Sequence, residues 1–161
     1  TGTLGDAALY LKSLERGSGV EVGGRIRHRL DYPEPRIDAG LALRDLDAST
    51  IDISDGLMAD LGHLLAASGV GAELQAVDLP LSDSVRDYVA QSGDWAVPLS
   101  GGDDYELCFT APASRQAEIS ERLAEFCSAR VIGQVSASAG QRWVGPAGFA
   151  VPEQGGYQHF V

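Results

Sequence analysis

Apolar residues recur along this chain with two spacings, one helical and one alternating. Helical spacing predicts five helices, over residues 5–17, 36–46, 54–69, 82–91 and 112–126. Alternation and short apolar runs predict four strands, over residues 50–54, 72–77, 107–110 and 130–135. Glycine and proline mark residues 17–24, residues 32–36 and the tail from Gly140 as loops. Because helices and strands alternate, the pattern predicts an α+β fold in which a mixed β-sheet is layered with α-helices.

Three polar side chains stand at the junction between the strand 50–54 and the helix that follows it. Asp52 and Ser54 share one face of the strand, because successive side chains alternate, and Asp55 follows at the helix N-terminus. Carboxylates are the hard oxygen ligands that Mg²⁺ prefers, and a helix N-terminus favours a phosphate oxygen. An alternative interpretation makes Ser54 or Asp55 a simple N-cap, but it leaves Asp52 unexplained, since Asp is uncommon in strands. The junction therefore predicts a site for a metal ion or a phosphate.

A second acidic segment occupies residues 101–106, with the sequence Gly-Gly-Asp-Asp-Tyr-Glu. Its two glycines permit backbone conformations in which a ligand approaches closely, and Asp103 and Asp104 would then face that ligand. The alternative is a tight acidic turn before a strand, since Gly and Asp are common turn formers. Clustered carboxylates repel one another unless a cation lies among them, so the two segments together favour a Mg²⁺-dependent phosphate site.

The charge of the chain limits the partners that it can bind unaided. Its 161 residues are the size of one domain, and they carry a formal net charge of -11 with Lys12 as the only lysine. Nucleic acid is excluded as a partner, because phosphate backbones require clustered Lys and Arg. A nucleotide would need a divalent metal ion, or basic groups from elsewhere, to be held by this chain.

Cysteine, histidine and hydropathy patterns exclude several other classes of protein. Cys108 and Cys127 lie in apolar contexts without a paired framework, which predicts buried free thiols in a reducing cytoplasm. The three histidines belong to no metal-ligand pattern, and His63 falls on the solvent side of its predicted helix. No apolar stretch approaches the roughly 20 residues that a membrane span requires, so we expect no membrane association.

Five segments of the chain, in order, resemble thiamine-monophosphate kinase, in the superfamily of aminoimidazole ribonucleotide synthetase. They are residues 1–8 (Thr-Gly-Thr-Leu-Gly-Asp-Ala-Ala), 52–57 (Asp-Ile-Ser-Asp-Gly-Leu), 68–72 (Ser-Gly-Val-Gly-Ala), 101–107 and 156–160 (Gly-Tyr-Gln-His-Phe). The resemblance implies that residues 1–161 form a single C-terminal catalytic and substrate-binding domain. It also implies an N-terminal domain upstream that binds ATP and forms the dimer. The chain begins at Thr1 rather than Met, and we expect it to be a fragment.

The resemblance also implies a reaction and a location. Proteins of this family are cytoplasmic homodimers that transfer the γ-phosphoryl group of ATP to thiamine phosphate, giving thiamine diphosphate. The transfer is in-line and direct, with Mg²⁺ as cofactor and no phosphoenzyme. We therefore expect the chain alone to fold but to lack catalytic activity, because half of the site would be missing.

Site residues follow from the resemblance position by position. The aspartates matching Asp52 and Asp55 bind Mg²⁺, and the serine matching Ser54 contacts ATP. The acid matching Asp103 contacts thiamine phosphate, and a near-terminal aromatic residue matching Tyr157 lines the substrate site. Family members often have Glu at the position of Asp103, so this chain reaches one methylene less far. No catalytic acid or base is implied, because phosphoryl transfer mainly requires positioning and charge neutralisation.

Two alternatives remain open at the level of sequence. One is another ATP-dependent member of the superfamily, similar to selenophosphate synthetase or aminoimidazole ribonucleotide synthetase. The other is a non-catalytic domain that binds a phosphorylated ligand or serves assembly. A panel of substrates would separate the first alternative from the kinase. An initiator Met immediately before Thr1 in the gene would favour the second, whereas an upstream domain of about 150 residues would argue against it.

Overall fold

A computed structural model describes residues 1–15, 24–153 and 155–156 of the chain. The expectations for residues 17–23 and for Tyr157 lie outside these described residues. The described elements, in chain order, are α1 (Asp6–Glu15), α2 (Gly24–Asp31), α3 (Ile37–Arg44), β1 (Ser49–Ile53), α4 (Leu57–Ser68), β2 (Gly71–Gln75), α5 (Asp83–Ser92), α6 (Ala96–Ser100), β3 (Glu106–Thr110), α7 (Gln116–Leu123), β4 (Gly133–Ser136) and β5 (Gly140–Val144).

The strands form two small sheets. β1 pairs with β3 in an antiparallel ladder that joins Ile51 to Cys108 and Ile53 to Glu106. In the other sheet, β2 lies between β4, which is antiparallel to it, and β5, which is parallel to it. Mixed pairing combined with helices confirms the predicted α+β class.

Helix α4 joins the two sheets through its apolar face. Leu57, Leu61 and Leu65 are at most 3% exposed and pack in one cluster with Ile53 of β1 and Leu74 of β2. Burying each of these side chains contributes about 1.5–3 kcal/mol. The leucine spacing in the sequence therefore predicted both the helix and the face that it buries. Because α4 follows β1 directly, this packing also fixes the loop between them.

The described residues correct several predicted boundaries and one predicted loop. The segment Gly140–Val144 forms β5 rather than a loop, because Gln141 and Trp143 turn toward the core while Arg142 between them faces solvent. The strand predicted over 72–77 ends at Gln75, and the helix predicted over 112–126 ends at Leu123. Helices α2 and α6 were not predicted. In α2, only Ile26 is buried, so the helix has almost no apolar periodicity to detect.

The helices of the structure bear on one part of the expectation of no membrane association, namely whether a helix could span a bilayer. Within the described ranges, none of the helices combines the length and the apolar character needed to cross a bilayer.

Candidate functional site

The β1–β3 ladder brings the two acidic segments to the same edge of the sheet. Asp52 lies opposite Leu107, so the end of β1 meets the start of β3. Beyond the ladder, the Asp103 N–H donates to the Ser54 carbonyl at 2.9 Å, and the Tyr105 N–H donates to the Ile53 carbonyl at 2.9 Å. Segments that are far apart in sequence are thereby held side by side. This juxtaposition builds the candidate site.

Two glycines make this close approach possible. A Cβ atom at Gly102 would lie 2.5 Å from the Ser54 carbonyl oxygen, which is closer than any side chain could tolerate. Gly56 has φ of +116° and would place a Cβ 2.8 Å from the backbone of Ser100. Glycine is the residue that accepts both the positive φ and the contact. At Gly102 it is the chain's own backbone that approaches closely, and the approach of a ligand to residues 101–102 stays a prediction.

The structure changes the predicted start of helix α4. Its N-cap is Gly56, which makes no side-chain cap hydrogen bond, and the helix begins at Leu57. The interpretation of Ser54 or Asp55 as the N-cap was therefore wrong. Both residues lie in the loop just before the helix.

Asp52, Asp55 and Asp103 all lie close enough to the side chain of Tyr105 for their charges to affect its pKa. The pKa of Tyr105 is raised, first by the charge of Asp103 and by the hydrogen bond that the Tyr105 hydroxyl donates to it at 3.2 Å. Burial and the charges of Asp52 and Asp55 raise this pKa further. Asp52 and Asp103 are exposed, whereas Ser54 and Asp55 are half-buried. The site is thus a strongly negative, solvent-accessible edge.

Strained backbone marks the second acidic segment. Asp103 and Tyr105 have φ of +65° and +50°, which are uncommon values for residues with a side chain. The hydrogen bonds to Ser54 and Ile53 hold both residues in this conformation. Strain of this kind concentrates where a structure must present a group in one orientation.

The donor set fits a magnesium ion only in part. Among the described residues, no group of three or more His, Cys, Asp or Glu side chains is placed to hold a metal ion. Asp52 and Asp55 nevertheless supply two carboxylates, and Mg²⁺ commonly takes only one or two from protein, with water and phosphate oxygens completing its octahedron. The chemistry of these donors therefore fits Mg²⁺ provided that other groups complete the coordination.

Asp60 belongs to this site, and the sequence interpretation missed it. Its side chain is 4% exposed, and its Oδ2 atom accepts hydrogen bonds from the N–H groups of Ser54 at 3.0 Å and Asp55 at 3.1 Å. Burial raises the pKa of Asp60, and these hydrogen bonds act in the opposite direction. Its position offered a signal, because Asp60 lies on the same helix face as Leu57 and Leu61. A carboxylate on an apolar face needs a buried partner.

Asp104 does not face a ligand as the sequence suggested. It is 2% exposed, and its Oδ1 atom accepts a hydrogen bond from the Gly5 N–H at 2.8 Å. Among the described residues, its Oδ2 atom has no hydrogen-bond partner. Burial raises the pKa of Asp104 well above its ordinary value. Of the two neighbouring aspartates, only Asp103 is turned toward solvent.

Glu106 is also turned inward, where it forms a buried charged cluster with Arg29, Arg36 and Thr1. Arg36 donates to Oε2 at 2.9 Å and to Oε1 at 2.8 Å, and Arg29 donates to Oε1 at 2.7 Å. The Thr1 hydroxyl donates to Oε2 at 2.7 Å, and Arg29 also donates to the Asp104 carbonyl at 2.8 Å. This Glu106 cluster ties α2 and the start of the chain to the base of the second acidic segment.

The far end of the chain also reaches the site. A Cβ at Gly156 would lie 2.6 Å from the Cβ of Ala59 and 3.0 Å from the Asp55 carbonyl oxygen, so Gly156 packs directly on the loop before α4. Tyr157, the next residue, lies outside the described residues. The contact of Tyr157 with substrate stays a prediction.

Two further predictions on reactive side chains are confirmed, except that Cys127 is less buried than expected. Cys108 is buried and Cys127 half-buried, and both are free thiols. Burial raises the pKa of Cys108 to about 11, so this thiol stays protonated at neutral pH. His63 is exposed, as its place in the helical pattern indicated.

The curated proteins similar to this chain include thiamine-monophosphate kinases from several organisms. Thiamine-monophosphate kinase from Salmonella typhimurium is 38% identical over 168 residues, which cover 100% of this chain and 51% of that protein. The chain thus spans about half the length of the curated relatives that it matches. No protein-family model matches the chain.

The solved structures similar to this chain also include thiamine-monophosphate kinases. The crystal structure of thiamine-monophosphate kinase from Stenotrophomonas maltophilia superposes with a TM-score of 0.80 at 35% identity, over 93% of this chain and 49% of that one. A structure described as AaThiL complexed with AMPPCP and TMP superposes with a TM-score of 0.74 at 34% identity, over 99% of this chain and 50% of that one. The resemblance noted in the sequence is therefore confirmed across nearly the whole chain.

Proposed function

We propose that this chain, which is homologous over its whole length to one half of thiamine-monophosphate kinase, is part of an enzyme that phosphorylates thiamine phosphate with ATP. The product is thiamine diphosphate. One observation carries the proposal: the two acidic segments meet at a single sheet edge, in a chain that matches these kinases from end to end. The bound AMPPCP and TMP of the AaThiL complex support a nucleotide and a phosphorylated substrate as the ligands.

Within this proposal, Asp52 and Asp55 hold Mg²⁺ and Ser54 contacts ATP. Asp103 and Tyr157 contact thiamine phosphate. A bound Mg²⁺ ion would neutralise charge on the phosphates and hold them in line for direct transfer. The protein's own part is to fix two anionic ligands side by side without repelling them. An edge that carries Asp52, Asp55 and Asp103 cannot do this until cations balance it.

The negative edge supports a second half of the site that lies outside this chain. Arg29 and Arg36, two basic side chains that contact the second segment, are already paired with Glu106. We therefore propose an upstream N-terminal domain that supplies further metal ligands, most nucleotide contacts and a homodimer interface, in a cytoplasmic enzyme. The 161-residue chain alone should then show no thiamine diphosphate synthesis, and turnover by the purified chain would contradict this division.

The test uses the protein expressed from the complete reading frame that contains this chain, with MgATP and thiamine phosphate. Thiamine diphosphate formation is compared between the unsubstituted protein and its Asp52→Asn variant, which removes one charge from the edge. We expect the rate to fall about 100-fold or more, equivalent to roughly 2.7 kcal/mol of transition-state stabilisation. Asp87→Asn, which alters an exposed carboxylate on α5, is the matched control and should keep the rate within about twofold.

Each outcome separates one part of the proposal from another. An unsubstituted protein that is folded but inactive would refute the kinase reaction and direct the search to other substrates of the superfamily. Turnover that survives Asp52→Asn would retain the reaction and refute the metal role of Asp52. Binding of both ligands without turnover would favour the non-catalytic alternative.

A further inference from the structure

Asp60 holds the backbone of the loop that carries the proposed metal ligands. Its Oδ2 atom accepts two convergent N–H groups, from Ser54 at 3.0 Å and from Asp55 at 3.1 Å. The Asp60 N–H in turn donates to the Gly56 carbonyl at 3.1 Å. The three residues before α4 are thus connected to its first turn by both the side chain and the backbone of one residue.

The anchor of this loop is rigid. Asp60 is 4% exposed, and its neighbours on the helix face, Leu57 and Leu61, are 1% and 3% exposed in the central core cluster. A side chain at this depth cannot move away from the loop without opening the core. The position of the Asp60 carboxylate is therefore as well determined as that of the helix.

The N–H groups that Asp60 accepts belong to the residues whose side chains form the site. Fixing the N–H of Asp55 fixes the plane of the peptide that leads into its Cα, and so limits where its carboxylate can point. The Ser54 carbonyl is held on the other side by the Asp103 N–H at 2.9 Å. Ser54 is therefore held between α4 and the second acidic segment, and Asp55 is held by α4.

We propose that Asp60 is a positioning residue, which sets the metal affinity of the site by holding Ser54 and Asp55 in place. This role rests on the proposed function, because it assumes that Asp55 is a metal ligand. In this role Asp60 acts through Ser54 and Asp55 and is not itself a ligand of the metal or the substrate. Supporting residues of this kind typically change metal affinity about 10–100-fold when they are removed.

The experiment compares Asp60→Ala with Asp60→Asn in the protein expressed from the complete reading frame. Alanine removes the acceptor, whereas the asparagine carbonyl can still accept from the two N–H groups. Leu64→Ala is the matched control, because Leu64 is a partly buried residue of the same helix that packs on the same core cluster and lies about two helical turns beyond Leu57. It should lower stability without disturbing Ser54 or Asp55.

Two readouts separate positioning from general loss of structure. Amide hydrogen exchange, measured without metal, reports whether Ser54 and Asp55 have lost their acceptor. Binding of Mn²⁺, followed by the electron paramagnetic resonance of the free ion in the presence of AMPPCP, reports the affinity of the site. We expect Asp60→Ala to speed exchange at both amides and to weaken Mn²⁺ binding about 10-fold or more. Asp60→Asn should show a smaller change, and Leu64→Ala should leave Mn²⁺ affinity unchanged.

The results distinguish this role from the proposed function. Faster amide exchange in Asp60→Ala with unchanged Mn²⁺ affinity would overturn the positioning role while leaving the metal site intact. Equal weakening in Leu64→Ala would also overturn it, since general destabilisation would then explain the effect. An unsubstituted protein with protected amides but no Mn²⁺ binding would refute the proposed metal site, and the positioning role with it.

Discussion

Replacing Glu106 by Gln should destabilise the fold far more than replacing any exposed glutamate. The side chain is 0% exposed and accepts four hydrogen bonds from the Glu106 cluster, at 2.7 to 2.9 Å. Glutamine keeps the shape but has only one accepting oxygen. Its amide group would therefore point a donor at other donors, either at Arg29 and Arg36 or at Arg36 and Thr1.

The expected cost follows from burial. Removing one partner of a buried ion pair costs about 3–5 kcal/mol, because the opposite charge is left buried and unpaired. The side chains of Arg29 and Arg36 are 14% and 20% exposed, so water can reach part of each guanidinium and reduce this cost. We therefore expect Glu106→Gln to lower the free energy of unfolding by about 3 kcal/mol, at the lower end of this range.

Urea unfolding of the 161-residue chain, followed by the fluorescence of Trp95 and Trp143, would measure this cost. With a slope of about 2 kcal/mol per molar urea, the unfolding midpoint should fall by about 1.5 M. Glu121→Gln, at an exposed position of α7, should change the free energy of unfolding by less than about 0.5 kcal/mol. A double-mutant cycle with Arg36→Met should give a coupling energy above about 1 kcal/mol. A shift no larger than that of the control, or a coupling near zero, would refute the reasoning.

The loss of stability caused by Glu106→Gln should also depend on pH. Burial raises the pKa of Glu106, but hydrogen bonds from Arg36 and Thr1 and the charges of Arg36 and Arg29 outweigh it, so the pKa lies below its ordinary 4.5. A carboxyl whose pKa is lowered by folding contributes stability above its unfolded pKa and loses it as the pH falls through its folded pKa. The stability difference between the unsubstituted chain and Glu106→Gln should therefore narrow as the pH falls below about 4.5.

Three further substitutions or modifications test other parts of the structure. Asp104→Asn should raise the melting temperature at pH 7, because the side-chain carbonyl still accepts from the Gly5 N–H and no buried acid must be kept protonated. We expect the free energy of unfolding to rise by about 1 kcal/mol. Since folding raises the pKa of Asp104, this stabilisation should vanish at pH values below the unfolded pKa of 3.8. Cys108 should not react with Ellman's reagent in the native chain at pH 7.5 but should react fully in urea, and a fast native reaction would contradict its burial and its pKa of about 11. Gly102→Ala should cost at least about 2 kcal/mol in urea unfolding, because its Cβ would lie 2.5 Å from the Ser54 carbonyl oxygen, and an unchanged midpoint would show that the two segments are not in contact.

The sequence predicted those elements whose apolar residues follow one period. Leucines at helical spacing indicated α4, and alternation around Asp52 indicated β1 with its polar face outward. Helix α2 escaped prediction because Ile26 is its only buried residue, and its stability comes from contacts such as the ion pair of Arg29 with Glu106. β5 escaped because a parallel partner, β2, lies far away in sequence.

The candidate site was predicted in outline but not in the orientation of its acids. Residue type alone does not distinguish an acid that faces solvent from one that satisfies buried donors. The backbone makes this distinction: after Asp103 adopts a φ of +65°, Asp104 turns toward the Gly5 N–H and only Asp103 stays exposed. The juxtaposition with Ser54 also depends on the β1–β3 register, which no local pattern specifies.

The acids of this site therefore divide into two groups with opposite surroundings. Asp60, Asp104 and Glu106 are buried, and each accepts a hydrogen bond from a backbone N–H or a cationic side chain. They therefore hold the two segments in place from the protein interior. Asp52 and Asp103 remain exposed to solvent at the sheet edge. Burial favours the neutral form of Asp104, and the charge of Glu106 is balanced by two arginines. The net charge of the chain is therefore larger than the charge that a ligand meets at the site. A cation at the sheet edge would be attracted chiefly by Asp52, Asp55 and Asp103. Few carboxylates on a rigid support are what a hydrated Mg²⁺ ion carrying phosphate ligands requires.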